Sequence, residues 1–183
     1  MKLIGEKIYL RYPKRSDAEW ITKEINSKDI LPKLFIFKRG KVSLNDEINW
    51  IKKQSSLRKK WDSINFVIID QNTGERIGCC GIHSIKREDN YGELGIWITK
   101  KYWGKGQSLD AIKTLMRHGF EKLNFHAFKA SPYEWNIQSK KHIEKIGMKY
   151  EGTLRDRHLI NGKYYSEFSY SITKEEFNAK DRD

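Results

Sequence analysis

The stretch TKKYWGKGQS at residues 99–108 decides the fold of this chain. It follows ELGIWI (93–98), in which β-branched and aromatic residues without a helical period predict a strand. After it, apolar residues recur at the spacings of one helix face: Leu109, Ile112, Leu115, Met116 and Leu123. A strand, a glycine-containing turn and a helix present unpaired main-chain N–H groups at the positive end of a helix dipole. This geometry binds phosphate.

The glycine turn alone leaves a second interpretation open, because many strand-to-helix turns use glycine only to bend the chain. Of two better-known phosphate motifs, the Walker loop is excluded and the Rossmann motif is disfavoured. The Walker pattern G-x-x-x-x-G-K-[ST] does not occur in the sequence. The Rossmann fold requires repeated strand–helix alternation, whereas this turn follows three segments that read as antiparallel strands.

The length of the chain fits one domain, residues 1–183. Six Trp, nine Tyr and eight Phe supply large apolar side chains for its core. Lys and Arg exceed Asp and Glu by 36 − 24 = 12. Such an excess favours polyanionic partners, namely nucleic acid, ribosomes or a phosphate-rich cofactor. A generally solvated basic surface accounts for it equally well, because the lysines are spread along the whole chain.

The cysteines and the apolar runs indicate the compartment. Neither a signal peptide nor a membrane-spanning segment is predicted, because no apolar run has the required length. Cys79 and Cys80 are neighbours that point to opposite faces of a strand, so we expect no disulfide between them. These features predict a reduced, cytoplasmic protein without membrane association.

The remaining pattern predicts an α+β (mixed α/β) fold: one central mixed, mostly antiparallel sheet flanked by helices. Strands are expected at residues 7–12 (as an edge strand), 65–70, 76–85, 93–98, 125–130, 150–159 and 164–172. Besides the central helix, helices should begin after Ser16, Ser43 and Asn136, the last of them ending at Gly147. Asn-Gly at 161–162 predicts a tight hairpin between the last two strands.

Four motifs in this order resemble the GNAT superfamily of acyl-CoA N-acyltransferases, and within it the RimJ/RimL type that acetylates ribosomal-protein N-termini. They are GELGIWI (92–98), YWGKG (102–106), NIQS (136–139) with EKIGM (144–148), and EG (151–152) ahead of INGKY (160–164). The family's phosphate motif, [Q/R]-x-x-G-x-[G/A], falls on residues 103–108. There Trp103 replaces Gln or Arg, and Ser108 replaces Gly or Ala. We expect Gly104 or Lys105 to offset the loss of the first polar side chain.

The resemblance implies acetyl-CoA as the cofactor. The main chain of Ile96 and Ile98, on either side of Trp97, would pair with the pantetheine arm like an added strand. The pyrophosphate would lie against consecutive amides at the helix start, those of Gly104, Lys105, Gly106, Gln107, Ser108 and Leu109. Asn136 would hydrogen-bond the cofactor beyond the sheet.

Three residues are candidates for the chemistry. Glu93, on the central strand, would accept the proton of the amine, often through water, or else pair with one of the many lysines. Ser139 stands where the resembled branch places a serine proposed to protonate the leaving thiolate, or is an ordinary helix serine. His158 stands where some RimL-like enzymes carry a glutamate that acts as a water-mediated base, or is a surface histidine.

An acceptor pocket is expected between the loop at 32–40, which contains Phe35 and Phe37, and the terminal hairpin with Tyr164 and Tyr165. Aromatic walls beside an acceptor amine suit a peptide N-terminus and a small amine equally. No metal is predicted, because neither the cysteines nor the other histidines have ligand spacing: His83, His118, His126 and His142.

The leading hypothesis is an acetyl-CoA-dependent N-acetyltransferase that acts by direct attack on a protein α-amine, such as that of a ribosomal protein. Ribosome association and a homodimer are further options. The alternative is acetylation of a small amine (a polyamine, an aminoglycoside or an amino acid), although positive charge disfavours polycations. A distant alternative is a non-catalytic nucleic-acid-binding module that uses the basic runs at 52–53, 58–60 and 140–141.

Overall fold

The computed structural model describes residues 1–34 and 40–180, and its eight strands form one sheet. The strands are β1 (Lys2–Ile4), β2 (Ile8–Arg11), β3 (Ile64–Asp70), β4 (Arg76–Lys86), β5 (Tyr91–Ile98), β6 (Ala127–Ala130), β7 (Lys149–Ile160) and β8 (Lys163–Thr173). The α-helices are α1 (Ala18–Ile25), α2 (Leu44–Lys59), α3 (Gln107–Lys122), α4 (Ile137–Ile146) and α5 (Lys174–Lys180). The predicted α+β class with one mixed, mostly antiparallel sheet is confirmed.

The sheet divides near its middle. Its strand order is β1-β2-β3-β4-β5-β6-β8-β7, and within the described sheet β5 and β6 form the only parallel pair. Their pairing covers three residue pairs, from Tyr91↔Ala127 to Glu93↔Lys129. β5 then continues to Ile98, while β6 ends at Ala130. The two strands therefore separate and leave a wedge inside the sheet.

Apolar side chains cover both faces of the sheet. The larger cluster includes Cys80 and the buried face of α3, and the smaller one joins Cys79 to Ile21 of α1. Above the smaller cluster, Trp20 of α1 stacks on Trp97 of β5, with ring centroids 5.6 Å apart. The two cysteines lie on opposite faces, as predicted, and both are buried free thiols. No described helix is both long and apolar enough to cross a membrane.

Several predicted helix ends and turns are confirmed. Ser43 caps α2: its hydroxyl accepts from the Asp46 amide at 3.1 Å, and Asp46 accepts from the Ser43 amide at 2.9 Å. Asn136 caps α4, and Gly147 ends it with φ of 101°. At the hairpin between β7 and β8, residues 161 and 162 both have positive φ, 49° and 78°, as a tight Asn-Gly turn requires.

Other predictions were wrong at the two chain ends. β2 is an interior strand, because β1 pairs with it and forms the edge; a three-residue strand is too short to show alternation. Ser16 does not cap α1. A 3₁₀ turn, Arg15–Asp17, precedes the helix, and the Asp17 carboxylate accepts from the Lys14 amide and from the Arg11 guanidinium, each at 2.7 Å. α5 was missed because its sequence, KEEFNAK, is short and polar.

Candidate active site

The wedge between β5 and β6 opens into a cleft of about 510 Å³. Its walls are β5, the N-terminal turn of α3, the β6–α4 connection and α4, together with the segment at residues 29–34. The predicted site residues that line it come from three separate parts of the sequence: Glu93, Ile96, Trp97, Ile98, Gly104, Gly106, Ser108, Leu109, Asn136 and Ser139.

One wall of the cleft is an open strand edge. The Thr99 amide donates to the Ile77 carbonyl at 2.8 Å, which fixes the β5 residues that face β4. Along an antiparallel pair, residues whose main-chain groups point toward the partner strand alternate with residues whose groups point away from it. Since the main chain of Thr99 points toward β4, Ile96 and Ile98 direct their main-chain groups away from β4 and into the wedge. In the described sheet no strand pairs with β5 beyond Glu93 on that side. The edge can therefore bind an extended, amide-bearing arm.

The second wall is the start of α3. Gly106 is the N-cap residue with φ of 92°, a left-handed conformation that glycine adopts without strain. A Cβ built on Gly106 would lie 3.0 Å from the Lys7 ammonium, so a side chain there would displace the Lys7 side chain. The amides from Gly106 to Leu109 have no acceptor among the described residues, and they point out of the positive end of the helix dipole. This arrangement suits a diphosphate.

Two buried polar side chains in the cleft were not predicted. Ser131 Oγ, just after β6, and His142 Nε2, on α4, have no hydrogen-bond partner in the described structure. Burial, and then the nearby Lys145, lower the pKa of His142. Unsatisfied buried polar atoms are costly, and a ligand with amide and hydroxyl groups would satisfy them. Together with the strand edge and the helix start, these atoms fit the pantetheine arm and diphosphate of coenzyme A.

The three catalytic candidates do not all reach this cleft. Glu93 and Ser139 line it, and the Ser139 amide is bonded to Asn136 Oδ1 at 3.2 Å. His158 is absent from the lining; its Nε2 lies 2.6 Å from Glu167 Oε2 on β8. The ring of Tyr133, which does line the cleft, packs edge-on against His158 with centroids 4.8 Å apart. His158 therefore lies behind Tyr133.

Residues 7–149 match the family model of the acetyltransferase (GNAT) domain. The chain belongs to the GNAT acetyltransferases. Acetyltransferases of this family use acetyl-CoA, and the geometry described above agrees with that use. The protein is thus an acetyl-CoA-dependent N-acetyltransferase, which sets aside the alternative of a non-catalytic nucleic-acid-binding module.

One curated relative and several solved structures match this GNAT acetyltransferase over nearly its whole length. It is 28% identical over 176 residues to "Uncharacterized N-acetyltransferase p20" of Bacillus licheniformis, which covers 96% of this chain and 97% of that one. RimL, a ribosomal L7/L12 alpha-N-protein acetyltransferase solved with coenzyme A, superposes with a TM-score of 0.84 at 16% identity, covering 94% of this chain and 98% of that chain. The ribosomal-protein-S5-alanine acetyltransferase from Vibrio fischeri gives 0.81 at 22%, covering 97% and 98%. At these identities the two structures show the shared fold.

Beside the cleft of this GNAT acetyltransferase runs a wall of aromatic rings. Tyr133 stacks on Trp135 with centroids 4.1 Å apart, and Trp135 packs edge-on against Tyr165 of β8 at 4.7 Å. Tyr164, the neighbour of Tyr165 on the strand, is 59% exposed and lies outside the lining of the cleft. The other two predicted pocket residues, Phe35 and Phe37, lie outside the described residues.

Two residues of the glycine turn direct their side chains elsewhere. The side-chain Nε2 of Gln107 donates to Asp70 Oδ2 at 3.2 Å. The Lys105 ammonium lies 5.5 Å from the Tyr102 ring centroid, and neither side chain lines the cleft. In this arrangement neither residue places its side chain in the cleft at the start of α3.

Proposed function

We propose that this acetyltransferase transfers the acetyl group of acetyl-CoA directly to the α-amine of a protein N-terminus. The observation that carries the proposal is the aromatic wall formed by Tyr133, Trp135 and Tyr165. It begins in the cleft at Tyr133 and runs outward through Trp135 to Tyr165 of β8. Such a wall offers contact to several residues of an extended peptide, whereas a small amine would touch only its inner end.

The charges around the cleft support a peptide over a polycation. Its described lining contains two carboxylates, Asp29 and Glu93, beside three lysines, Lys33, Lys141 and Lys145. Asp29 is already paired with the Lys100 ammonium, at 3.1 Å. A polyamine or an aminoglycoside would thus meet more positive than negative charge, in a protein whose net charge is +12.

Proton affinity favours the same acceptor. An α-amine has a pKa of about 8, whereas a lysine-like alkyl amine has one of about 10.4, so the α-amine loses its proton at neutral pH far more readily. A single carboxylate that works directly or through water therefore suffices as the base. Glu93 holds that position, since it lines the cleft close to the point where β5 and β6 separate.

The residues of the cleft then have the following proposed roles. Bound acetyl-CoA supplies a thioester that an amine can attack. Ile96 and Ile98 hold the extended arm through their main chain, and the amides at the start of α3 hold the diphosphate. Ser139, kept at the first turn of α4 by the Asn136 cap, donates a hydrogen bond to the departing sulfur. Glu93 removes the proton from the amine.

The fold-level likeness to RimL and to the S5-alanine enzyme and the basic surface support ribosomal proteins as acceptors and the ribosome as a partner. The test is incubation of the protein with acetyl-CoA and peptides that carry free N-termini, with CoA thiol release as the readout. The same peptides with a blocked α-amine are the control. Release with free but not with blocked peptides is expected. Equal release with both, or faster turnover of spermidine or an aminoglycoside than of any peptide, would transfer the assignment to a side-chain or small-amine acceptor.

A further inference from the structure

The first position of the phosphate motif is unusual in this chain because Trp103 offers it no polar side chain. Its one polar group, the indole N–H, donates to the Ile98 carbonyl at 2.8 Å. That bond holds the ring at the junction of the strand edge and the glycine turn. Trp103 therefore has no hydrogen-bond donor left for a phosphate, although it stands immediately before the turn.

A cation from a distant part of the sequence lies on the face of this ring. The Lys33 ammonium, from the 3₁₀ turn Leu31–Lys33, is 4.1 Å from the Trp103 ring centroid. This distance is within the range of a cation–π contact. Both side chains line the cofactor cleft together with Gly104 and Gly106. The indole thus brings a positive charge to the position that the motif leaves without one.

The contacts of Lys33 leave part of its charge unmatched. An ammonium has three N–H donors, and one of them is bonded to Gln138 Oε1 at 2.6 Å. Lys33 forms no salt bridge within residues 1–34 and 40–180, because the nearby Asp29 is paired with Lys100. Burial, opposed by Asp29 and reinforced by Lys100, lowers the pKa of Lys33. A half-buried cation that forms no salt bridge is stabilised when an anion binds beside it.

We propose that Lys33, held on the face of Trp103, is the cationic contact for the diphosphate of coenzyme A in this protein. The contact replaces the Gln or Arg side chain that the motif carries at its first position. It would also couple the segment at 29–34 to the presence of the cofactor. The inference concerns only the cofactor and is independent of the identity of the acceptor.

The test measures binding rather than turnover. Calorimetry compares CoA with pantetheine, which has the arm but no phosphates, for the wild type and for Lys33→Met. We expect CoA affinity to fall about tenfold and pantetheine affinity to be unchanged. Lys101→Met is the matched control: it removes one positive charge from the turn before Trp103, where the ammonium already has a carboxylate partner, Glu75, outside the cleft. Lys33→Arg keeps a cation and should retain most of the CoA affinity.

A double-mutant comparison tests the link to the ring. Trp103→Arg places a cation at the first motif position, so the further change Lys33→Met should then alter CoA affinity less than twofold. The proposal is overturned if Lys33→Met leaves CoA binding within twofold of wild type, if it weakens pantetheine equally, or if Lys101→Met has the same effect. Thermal unfolding of each ligand-free variant shows that the folded protein is being compared.

Discussion

The carboxylate of Asp110, in the first turn of α3, accepts a hydrogen bond from the main-chain N–H of Lys7 at 2.7 Å. The amides of Glu6 and Ile8 donate to the same carboxylate, each at 3.1 Å. One side chain thus joins the turn between β1 and β2 to the helix start that lines the cleft. The negative charge also lies at the favourable end of the helix dipole.

We therefore expect Asp110→Ala to destabilise the protein by about 1–3 kcal/mol, because three amides lose their acceptor. Urea unfolding measures this loss. Asp110→Asn retains one acceptor oxygen and should cost less. Equal stability of the wild type and the alanine variant would mean that water replaces the carboxylate without penalty.

Gly106→Ala should lower CoA affinity and stability together. Alanine at φ of 92° is strained by about 1–2 kcal/mol, and its Cβ would lie 3.0 Å from the Lys7 ammonium beside the amides of the turn. Gly74→Ala is the matched control: its φ is 70° and its Cβ would meet nothing within 4 Å. It should lose similar stability while CoA binding, measured by calorimetry, stays unchanged. A similar loss of CoA affinity in both variants would mean that backbone strain from alanine at positive φ is the whole cause of the effect.

Glu93→Gln should lower kcat with a peptide acceptor by at least about tenfold, equivalent to roughly 1.4 kcal/mol of barrier. Glu93 lines the cleft, whereas His158 lies behind Tyr133 and is bonded to Glu167. We therefore expect a smaller effect of His158→Gln. Rate against pH for both variants identifies the base, since loss of the base removes the rise of rate with pH. If neither substitution reaches tenfold, both residues are excluded as the base.

The buried Glu47 on α2 should make the stability of the protein fall as pH rises toward 7. The residue is 6% exposed, and burial, followed by repulsion from Asp46, raises its pKa from 4.5 to about 7. A carboxyl group with a raised folded-state pKa stabilises the protein fully only below its unfolded-state pKa, and that contribution is lost as pH rises to about 7. Glu47→Gln should therefore stabilise the protein by about 1–3 kcal/mol at pH 8 and by much less at pH 5. Urea unfolding at the two pH values measures the difference, and an equal gain at both would exclude a raised pKa.

The parts of the fold that the sequence predicted correctly are those with local causes. The run of β-branched and aromatic residues in β5, the capping box at Ser43 and the Asn-Gly turn at 161–162 depend on residues close together in the chain. Their physics needs no knowledge of the rest of the molecule. The strand–turn–helix unit around Gly106 belongs to the same class.

The features that the sequence did not reveal depend on contacts between distant segments. Lys33 meets Trp103 across 70 positions of the chain, and the buried His142 lies on α4, which packs against α3. No periodicity reports such contacts. The sequence also did not reveal which of Tyr164 and Tyr165 contacts Trp135. Neighbouring residues on a strand face opposite sides of the sheet, and the strand register places Tyr165 on the side of Trp135.

The wedge in the sheet has a further consequence for the cooperativity of unfolding. Strands β1–β5 and the group β6, β8 and β7 are joined in the ladder by three residue pairs. Apart from the ladder of the edge strand β1, which also has three pairs, this seam is the shortest ladder in the described sheet. The amides of β6 should therefore exchange with deuterium through a partial opening that needs less free energy than global unfolding. The pantetheine arm of coenzyme A, bound along β5, would add contacts between strands β1–β5 and the group β6, β8 and β7. Native-state hydrogen exchange should then show β6 protected selectively when the cofactor is added.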